Sequence, residues 1–267
     1  MRALWAFARR DILNETSYRL SFFLQLLGIL PATLMFFFLS RLVGDALSGP
    51  LDAYGGSYFP FVLVGIAVDR YLAVSLTSFS RSLRESQLTG TLEAVLATPV
   101  SVSALLAGSS LYAFGFNSLR VLLYLGVGSA LFGVALHWAR LPWILLVLAL
   151  TAAAFSSLGI LAASFTIFFK RGDPLNWTFS IASWLLGGVY YPLSVLPDGL
   201  QQAAQIIPLT HSLEALRRIL LGGAELSRIG PQLLALSVWS AVGIPLSVLC
   251  FRFALRRARA NGTLGHY

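Results

Sequence analysis

Six long apolar stretches, separated by short polar segments, dominate the sequence. A membrane-spanning helix needs about 20 mostly apolar residues, and most of these stretches reach that length. The fifth stretch is the shortest, whereas the third is long enough to tilt or to contain a break. We therefore predict an all-α membrane protein, with a single transmembrane domain over residues 1–267. The predicted spans are residues 22–43, 58–79, 104–134, 141–169, 177–191 and 231–255.

The composition excludes the soluble and the disordered classes of protein. Only 11% of the 267 residues are charged, and 57% are hydrophobic, whereas a soluble domain carries about 25% charged residues. Mean hydropathy is +0.77. Disordered chains are polar and charged, so the natural solvent of this chain is lipid.

The basic residues predict the orientation of the chain in the membrane. Cytoplasmic segments carry an excess of Lys and Arg. Six spans with both termini cytoplasmic place twelve cations inside and five outside, and the opposite orientation inverts that ratio. The net charge is +8. The basic residues flank apolar runs and do not form the basic patch that nucleic-acid binding requires. We expect membrane lipids, and no nucleic acid, as partners.

Two segments outside the spans have a pattern of their own. Residues 1–21 place Trp5 and Phe7 among arginines, which is typical of an amphipathic helix in the cytoplasmic interface, although an irregular basic anchor would give a similar pattern. Residues 192–221 contain apolar stretches too short to span. We predict short re-entrant helices at 201–207 and 213–221, covered by the bundle because broken backbone at membrane depth needs protein around it.

Four polar residues stand out near the middle of the predicted spans: Asp69, Arg70, Asn117 and Arg120. A charge at the bilayer centre costs roughly 3 kcal/mol on insertion scales, and such groups usually face the bundle interior. Asp69 and Arg120 lie at comparable depth and could form an ion pair. Two interpretations stay open: a structural clasp between neighbouring helices, or a polar lining for substrate.

Aromatic residues are dense in the fifth span and just after it. Trp177 and the pair Tyr190 and Tyr191 are suitably placed for an interfacial belt. Deeper residues could line a path for an apolar substrate, although ordinary packing would use the same residue types. The candidate path residues are Phe179, Trp184 and Tyr190.

The sequence lacks the motifs of nucleotide hydrolysis and of hydrolytic catalysis. It contains no G-x-x-x-x-G-K-[ST] loop, no G-x-S-x-G and no H-E-x-x-H. One cysteine and three widely spaced histidines suggest no metal site. We therefore expect no enzyme activity, catalytic residue or metal on this chain. A secondary transporter would need several intramembrane ionisable groups, and Asp69 is the only acidic one.

Two segments resemble a known family. Residues 90–101, GTLEAVLATPVS, preceded by Arg84 and Glu85, resemble the cytoplasmic loop of the ABC type-2 permeases, which are transmembrane subunits of bacterial exporters. That loop reads roughly R-E-x-x-x-G-T-L-E-x-L-x-x-T-P-V-S. Val95 replaces a usual leucine, and one extra residue precedes Gly90. Residues 191–197 and 207–217 resemble the family's outer segment before the last span, so the resemblance covers nearly the whole chain.

The resemblance implies the permease subunit of an ATP-driven exporter in the cytoplasmic membrane of a bacterium or archaeon. A separate ATPase, present in two copies, would bind ATP and Mg²⁺, so this chain would need no cofactor. A second permease copy, or a related permease, would complete the path. An ion-coupled secondary transporter without an ATPase is the alternative.

The resemblance also implies a coupling helix within residues 84–101 that docks on the ATPase. Thr91 is a suitable N-cap for it, and Glu93 in its first turn favours the helix dipole. The residues assigned to coupling are Arg84, Glu85, Gly90, Thr91, Leu92, Glu93, Leu96 and Pro99.

The outer segment, by the same resemblance, closes the external end of the path. Its prolines, Pro192, Pro197 and Pro208, mark the expected outer gate. Short external loops and the aromatic fifth span favour a lipophilic or lipid-linked cargo. Polysaccharide exporters share this architecture, so cargo identity stays open, as does the choice between homodimer and heterodimer.

Overall fold

The computed structural model describes residues 28–44, 48–88, 102–169 and 174–260, which form helices joined by short turns. The predicted interfacial helix at 1–21 and the coupling residues from Gly90 to Pro99 lie outside the described residues. The main helices are α1 (Ile29–Val43), α2 (Tyr58–Leu88), α3 (Val102–Phe132), α4 (Leu141–Phe169), α5 (Pro174–Leu186), α6 (Asp198–Ala204), α7 (Pro208–Leu220) and α8 (Gly230–Ala260).

Proline and glycine fix where several of these helices begin and end. α5 and α7 both begin at a proline, which suits the first helical position because the N–H it lacks would have no partner in the helix. Gly133 and Gly188, which follow α3 and α5, have φ values of 68° and 70°. Glycine adopts this left-handed conformation without a Cβ penalty, so the chain turns sharply there.

α4 forms the centre of the bundle and packs against α2, α7 and α8. Its side chains Ile144, Leu148 and Phe155 are fully buried. α2 approaches α4 closely at Gly159, where a Cβ atom would lie 2.4 Å from the carbonyl oxygen of Ser75. Small residues allow helices in lipid to pack backbone against backbone, which gives this core its density.

Four of the helical segments are long and apolar enough to cross a membrane: Tyr58–Phe79, Phe114–Phe132, Trp138–Ile167 and Leu226–Ala258. They correspond to the second, third, fourth and sixth predicted spans. The first and fifth are represented in the described residues by the shorter apolar segments Leu30–Val43 and Trp177–Leu186. The chain is thus a helical transmembrane protein.

Several predicted boundaries were wrong. The second predicted span, 58–79, has the bounds of the apolar segment Tyr58–Phe79, but its helix α2 continues to Leu88, so Arg84 and Glu85 belong to this helix rather than to the predicted loop. α5 ends at Leu186 instead of residue 191, because two glycines follow it. The outer helices begin earlier than predicted, at Asp198 and Pro208, since prolines mark their starts.

Candidate substrate path and outer closure

Two cavities lie along α1, α2 and α5. The first has a volume of about 380 Å³, and it is lined by Phe36, Leu39, Tyr58, Trp184, Leu185, Tyr190 and Tyr191. The second has a volume of about 340 Å³, and it is lined by Asp69, Leu72, Ala73, Ser180, Ile181 and Trp184. Trp184 lines both, so an apolar cleft with one acidic group extends along this side of the bundle.

An aromatic cluster shapes the first cavity. The rings of Phe36 and Tyr190 stack with centroids 5.4 Å apart, and Trp184 meets Tyr190 edge-on at 6.4 Å. Trp184 is 59% exposed, so its ring faces the cleft rather than the core. Such rings offer large apolar contact area and, in Trp and Tyr, one polar atom each.

One end of this cleft is held by Arg217, a residue that is only 3% exposed. Its guanidinium donates hydrogen bonds to three backbone carbonyls: Nε to Phe61 at 3.2 Å, Nη1 to Gly188 at 2.7 Å and Nη2 to Val189 at 2.9 Å. It also lies 3.4 Å from the centroid of the Phe61 ring. One side chain on α7 thereby fastens α2 to the linker that follows α5.

Two features of this site make the buried charge tolerable. The carbonyls of Gly188 and Val189 lie just beyond the C-terminus of α5, where the helix dipole favours a cation. A guanidinium presents its donors in a planar fork that can satisfy several acceptors at once. Burial, the largest cause, lowers the pKa of Arg217 to about 9, so the group stays protonated at neutral pH.

Gly65 completes the cradle around this arginine. A Cβ atom at Gly65 would lie 2.2 Å from the carbonyl oxygen of Val189 and 2.8 Å from Nη2 of Arg217. Both distances are shorter than any real contact. Glycine is therefore required here for α2 to lie against the linker and the guanidinium together.

A second polar group lies around Glu214, one turn before Arg217 on α7. Tyr54 donates a 2.5 Å hydrogen bond to its carboxylate, and Arg218 Nε bonds it at 2.6 Å. Burial, and then the bond to Glu214, raise the pKa of Tyr54, which keeps the phenol protonated as the donor. This group ties α7 to the turn before α2.

The comparison with known families decides what this helical bundle is. A family model for the ABC-2 type transporter matches residues 4–221.

The chain belongs to the ABC-2 type transporter family.

Relatives support the same assignment. Nodulation protein J of Rhizobium meliloti (strain 1021) is 28% identical over 199 residues, covering 74% of this chain and 75% of the relative. Nodulation protein J of Rhizobium leguminosarum bv. viciae is 32% identical over 174 residues, covering 63% and 64%. The inner membrane transport permease YadH of Escherichia coli (strain K12) is 26% identical over 200 residues, covering 73% and 74%.

In this ABC-2 family member, the structure separates the three predicted path residues. Trp184 and Tyr190 line the first cavity. Phe179 instead packs against the hydrophobic core and lines neither cavity. Tyr58, Phe36 and Leu39 were not predicted, because their contribution depends on how α1 folds against α2 and α5.

The four polar residues predicted inside the spans have different surroundings. Arg120 lies over the Phe116 ring, with Cζ 4.3 Å from its centroid, and Asn117 is buried. Asp69 lines the second cavity. The pair between Asp69 and Arg120 stays a prediction.

The outer prolines take three different positions in the ABC-2 outer segment. Pro192 is buried after the α5 linker, Pro197 is exposed just before α6, and Pro208 is buried at the start of α7.

Helical spacing places both Arg217 and Arg218 within reach of Glu214, and in the structure Arg218 bonds the carboxylate while Arg217 bonds backbone carbonyls. A signal was present: Arg217 follows the buried Leu213 by four residues, on the apolar face of α7.

Proposed function

We propose that this chain is the permease subunit of an ATP-driven ABC exporter that moves cargo outward by alternating access. Two observations support the proposal: the family match over residues 4–221 and the apolar cleft along α1, α2 and α5. A separate ATPase, in two copies, binds ATP and Mg²⁺, and this chain carries no cofactor. The proposed location is the cytoplasmic membrane, as the printed name of the inner membrane relative suggests.

The proposed topology has six spans with both termini cytoplasmic. The two shorter apolar helices, α1 and α5, supply the first and fifth spans, and the excess of cations on the assigned cytoplasmic side supports this orientation. Residues 1–21 lie in the inner interface. Residues 84–101 dock on the ATPase, and the segment from Pro192 to Leu221, with Pro197 and Pro208, closes the outer end of the path.

The proposed cargo is lipophilic or lipid-linked. The lining of the first cavity is aromatic and aliphatic, with tyrosine hydroxyls as its polar groups. Ligand sites of this kind are mostly apolar, with a few polar groups that fix orientation. The outer closure by Arg217 lies next to this cavity, since Gly188 and Val189 directly precede Tyr190 and Tyr191.

The experiment that tests the proposal is capture of the tagged chain in mild detergent, with identification of co-purifying proteins. We expect a stoichiometric nucleotide-binding subunit. Glu93→Arg, and separately Leu92→Ala, should reduce its recovery and the ATPase stimulation by cargo, because both residues lie on the proposed coupling helix. Glu225→Arg is the matched control, since it makes the same charge reversal on the side assigned to the exterior.

Two results would contradict the proposal. One is unchanged cargo-stimulated ATPase activity in the reconstituted Glu93→Arg complex. The other is recovery of the chain alone, still moving a solute across liposomes without ATP, which would favour the ion-coupled alternative. Family membership does not favour that alternative.

The cleft itself is tested by Trp184→Ala. This change should lower the rate of cargo transport by about tenfold, since an aromatic contact contributes about 0.5–1.5 kcal/mol beyond the area it buries and each 1.4 kcal/mol is a factor of ten. Trp177→Ala is the matched control, because Trp177 is exposed on the same helix and lines neither cavity. Equal transport by both variants would remove Trp184 from the path.

A further inference from the structure

The two cavities of the cleft have walls of different chemistry. Aromatic and aliphatic side chains line the first, with tyrosine hydroxyls and the indole of Trp184 as its polar groups. The second cavity is also mainly apolar, but its wall includes the carboxyl group of Asp69 and the hydroxyl of Ser180. Asp69 is the only charged residue among those that line the two cavities. A ligand that occupies both cavities therefore meets a single acid within a largely apolar surface.

Trp184 and Tyr190 connect the two cavities. Trp184 lines both of them, and its side chain donates a hydrogen bond to that of Tyr190, which lines the first. Asp69 interacts electrostatically with Tyr190, so the acid in the second cavity lies within electrostatic range of the aromatic cluster in the first. The carboxyl group and the aromatic rings therefore belong to one site.

The basic residue next to Asp69 lies outside this site. Arg70 interacts electrostatically with Asp69, and an opposite charge nearby lowers the cost of an acid within an apolar segment. Arg70 is exposed on α2, however, and it lines neither of the two cavities. The carboxyl group of Asp69 is therefore stabilised by Arg70 and remains open to a ligand in the second cavity.

We propose that the second cavity is a cation subsite, in which Asp69 binds the ammonium or other cationic group of an amphipathic cargo whose apolar body lies in the first cavity. The inference rests on the proposed function, because it takes the cleft as the path of the cargo. It goes further by naming the charge that the cargo carries and the residue that selects it.

Three groups of the second cavity favour a cation over other ligands. The carboxylate of Asp69 supplies the opposite charge, the face of the Trp184 ring attracts cations, and the hydroxyl of Ser180 accepts a hydrogen bond from an N–H donor. Trp184 is 59% exposed, so its ring is available for this contact. An anionic cargo would meet a like charge at Asp69, and a neutral one would displace water from the carboxylate without replacing its hydrogen bonds.

The sizes of the two cavities suit a cargo with two parts. Their volumes, about 380 and about 340 Å³, each lie near the lower end of the range of about 300–1,000 Å³ for ligand sites. A small cationic group fits the second cavity, and an aromatic or aliphatic body fits the first. Cargo with its charge at one end therefore matches the cleft better than cargo with charges spread along its length.

The experiment measures the binding of two probes to the full-length chain in nanodiscs of phosphatidylcholine, with empty nanodiscs as background. This lipid has no net charge, so the bilayer surface does not concentrate a cation. Dansylcadaverine joins an aromatic body to a terminal ammonium, and its N-acetyl derivative has the same body without the charge. Dansyl fluorescence, which increases in an apolar environment, reports the binding of both. The unchanged chain should bind dansylcadaverine at least about tenfold more tightly than the N-acetyl derivative, a difference of about 1.4 kcal/mol.

Variants of the cleft assign this preference to its residues. Asp69→Asn should remove the preference, because the amide has nearly the shape of the carboxylate but no charge, and Asp69→Glu should retain it. Asp198→Asn is the matched control, since it neutralises an exposed acid on α6 that lines neither cavity. Trp184→Leu should weaken the binding of dansylcadaverine by about threefold more than that of the N-acetyl derivative, because the indole ring attracts the ammonium.

Three results would overturn the proposal. The first is equal affinity of the unchanged chain for the two probes, or no binding of dansylcadaverine above that of empty nanodiscs. The second is a preference that survives Asp69→Asn, since another group would then recognise the charge. The third is an equal loss of preference in Asp198→Asn, because the effect would then come from the net charge of the chain rather than from the cavity.

A second measurement, on the unchanged chain, keeps the test decisive if Asp69→Asn fails to accumulate. A membrane-soluble carbodiimide joins carboxyl groups to nearby primary amines as amides, so it should couple dansylcadaverine to Asp69, as detected by mass spectrometry of the labelled peptides. Coupling at Asp69 should saturate over the concentration range in which the probe binds, whereas coupling at the exposed Asp198 should rise in proportion to concentration. Absence of coupling at Asp69, or coupling there that does not saturate, would overturn the proposal.

These tests separate the cation subsite from the exporter hypothesis, because they measure binding alone and need no ATPase and no transport. A charge preference that depends on Asp69, without recovery of a nucleotide-binding subunit in the capture experiment, would contradict the exporter hypothesis and support the subsite. Recovery of that subunit without a charge preference would do the opposite.

Discussion

Two arginines of this chain have opposite surroundings: Arg217 is buried among backbone carbonyls, whereas Arg70 is exposed on the surface of α2. Arg217 is 3% exposed, and three carbonyls accept its hydrogen bonds. Arg70 is exposed on α2, within the apolar segment Tyr58–Phe79. Arg217 therefore joins α2 to the linker after α5, whereas Arg70 lies on the surface of one helix.

The hydrogen-bond acceptors of Arg217 are backbone carbonyls at the start of α2 and in the linker after α5, and the fold holds them in place. A buried cation satisfied in this way depends on all of its partners, because removing it leaves several buried acceptors without donors. The predictions below test that dependence, beginning with the largest expected effect.

Replacing Arg217 should have the largest effect. Arg217→Ala should destabilise the protein by about 3–5 kcal/mol, as when one member of a buried charged interaction is removed. Arg217→Lys should recover only part of this loss, because an ammonium lacks the planar fork. Thermal unfolding in detergent, followed by the loss of the monodisperse size-exclusion peak, measures both.

Arg218→Ala is the control for that experiment. Arg218 is the neighbouring residue, but its side chain is 43% exposed in its ion pair with Glu214. A partly exposed pair of this kind is worth about 0–1 kcal/mol. If Arg218→Ala and Arg217→Ala lowered the unfolding temperature equally, the buried clasp would have no special role.

Gly65→Ala tests the same clasp without changing any charge. The added Cβ would displace the linker carbonyl of Val189 or the guanidinium, so we expect a loss of about 1–3 kcal/mol, typical of overpacking. Gly126→Ala on α3 is the matched control, because nothing lies within 4 Å of a Cβ there. An unchanged unfolding temperature for Gly65→Ala would mean that the close approach of α2 to the linker is not required.

The sequence predicted the helices better than it predicted what joins them. Runs of apolar residues predicted the four long helices, whereas the start of α7 at Pro208 was placed five residues too late. Phe36 and Tyr58 could not be predicted as path residues. They line the same cavity as Trp184 only because segments distant in the sequence pack together. Asp69 was recognised as costly from its position within an apolar run, but the cavity that it lines depends on how α2 packs against α5.

Arg217 teaches a more specific lesson about prediction. Spacing alone allowed Glu214 to pair with either Arg217 or Arg218, since both fall three or four residues later on the helix. The hydrophobic stripe of α7 separates them, because Leu213, Leu216 and Leu220 lie on the buried face that Arg217 shares. A basic residue on an apolar face of a short helix predicts a buried clasp rather than a surface ion pair.

Tyr54→Phe should have a smaller effect than either change at the Arg217 clasp, because it removes one hydrogen bond. The loss should be about 0.5–1.5 kcal/mol, since Glu214 keeps its bond to Arg218.

The pKa of Tyr54 is raised above its ordinary value of 10.0, so the native state retains the phenol proton where the unfolded chain would release it. The stabilising contribution of this hydrogen bond is therefore fully present below pH 10 and is lost as pH rises through the raised value. The difference in unfolding temperature between the unchanged chain and Tyr54→Phe should be constant from pH 7 to about pH 9 and should shrink at more alkaline pH. A difference that grew with pH would mean that the bond to Glu214 does not hold the phenol in its protonated form.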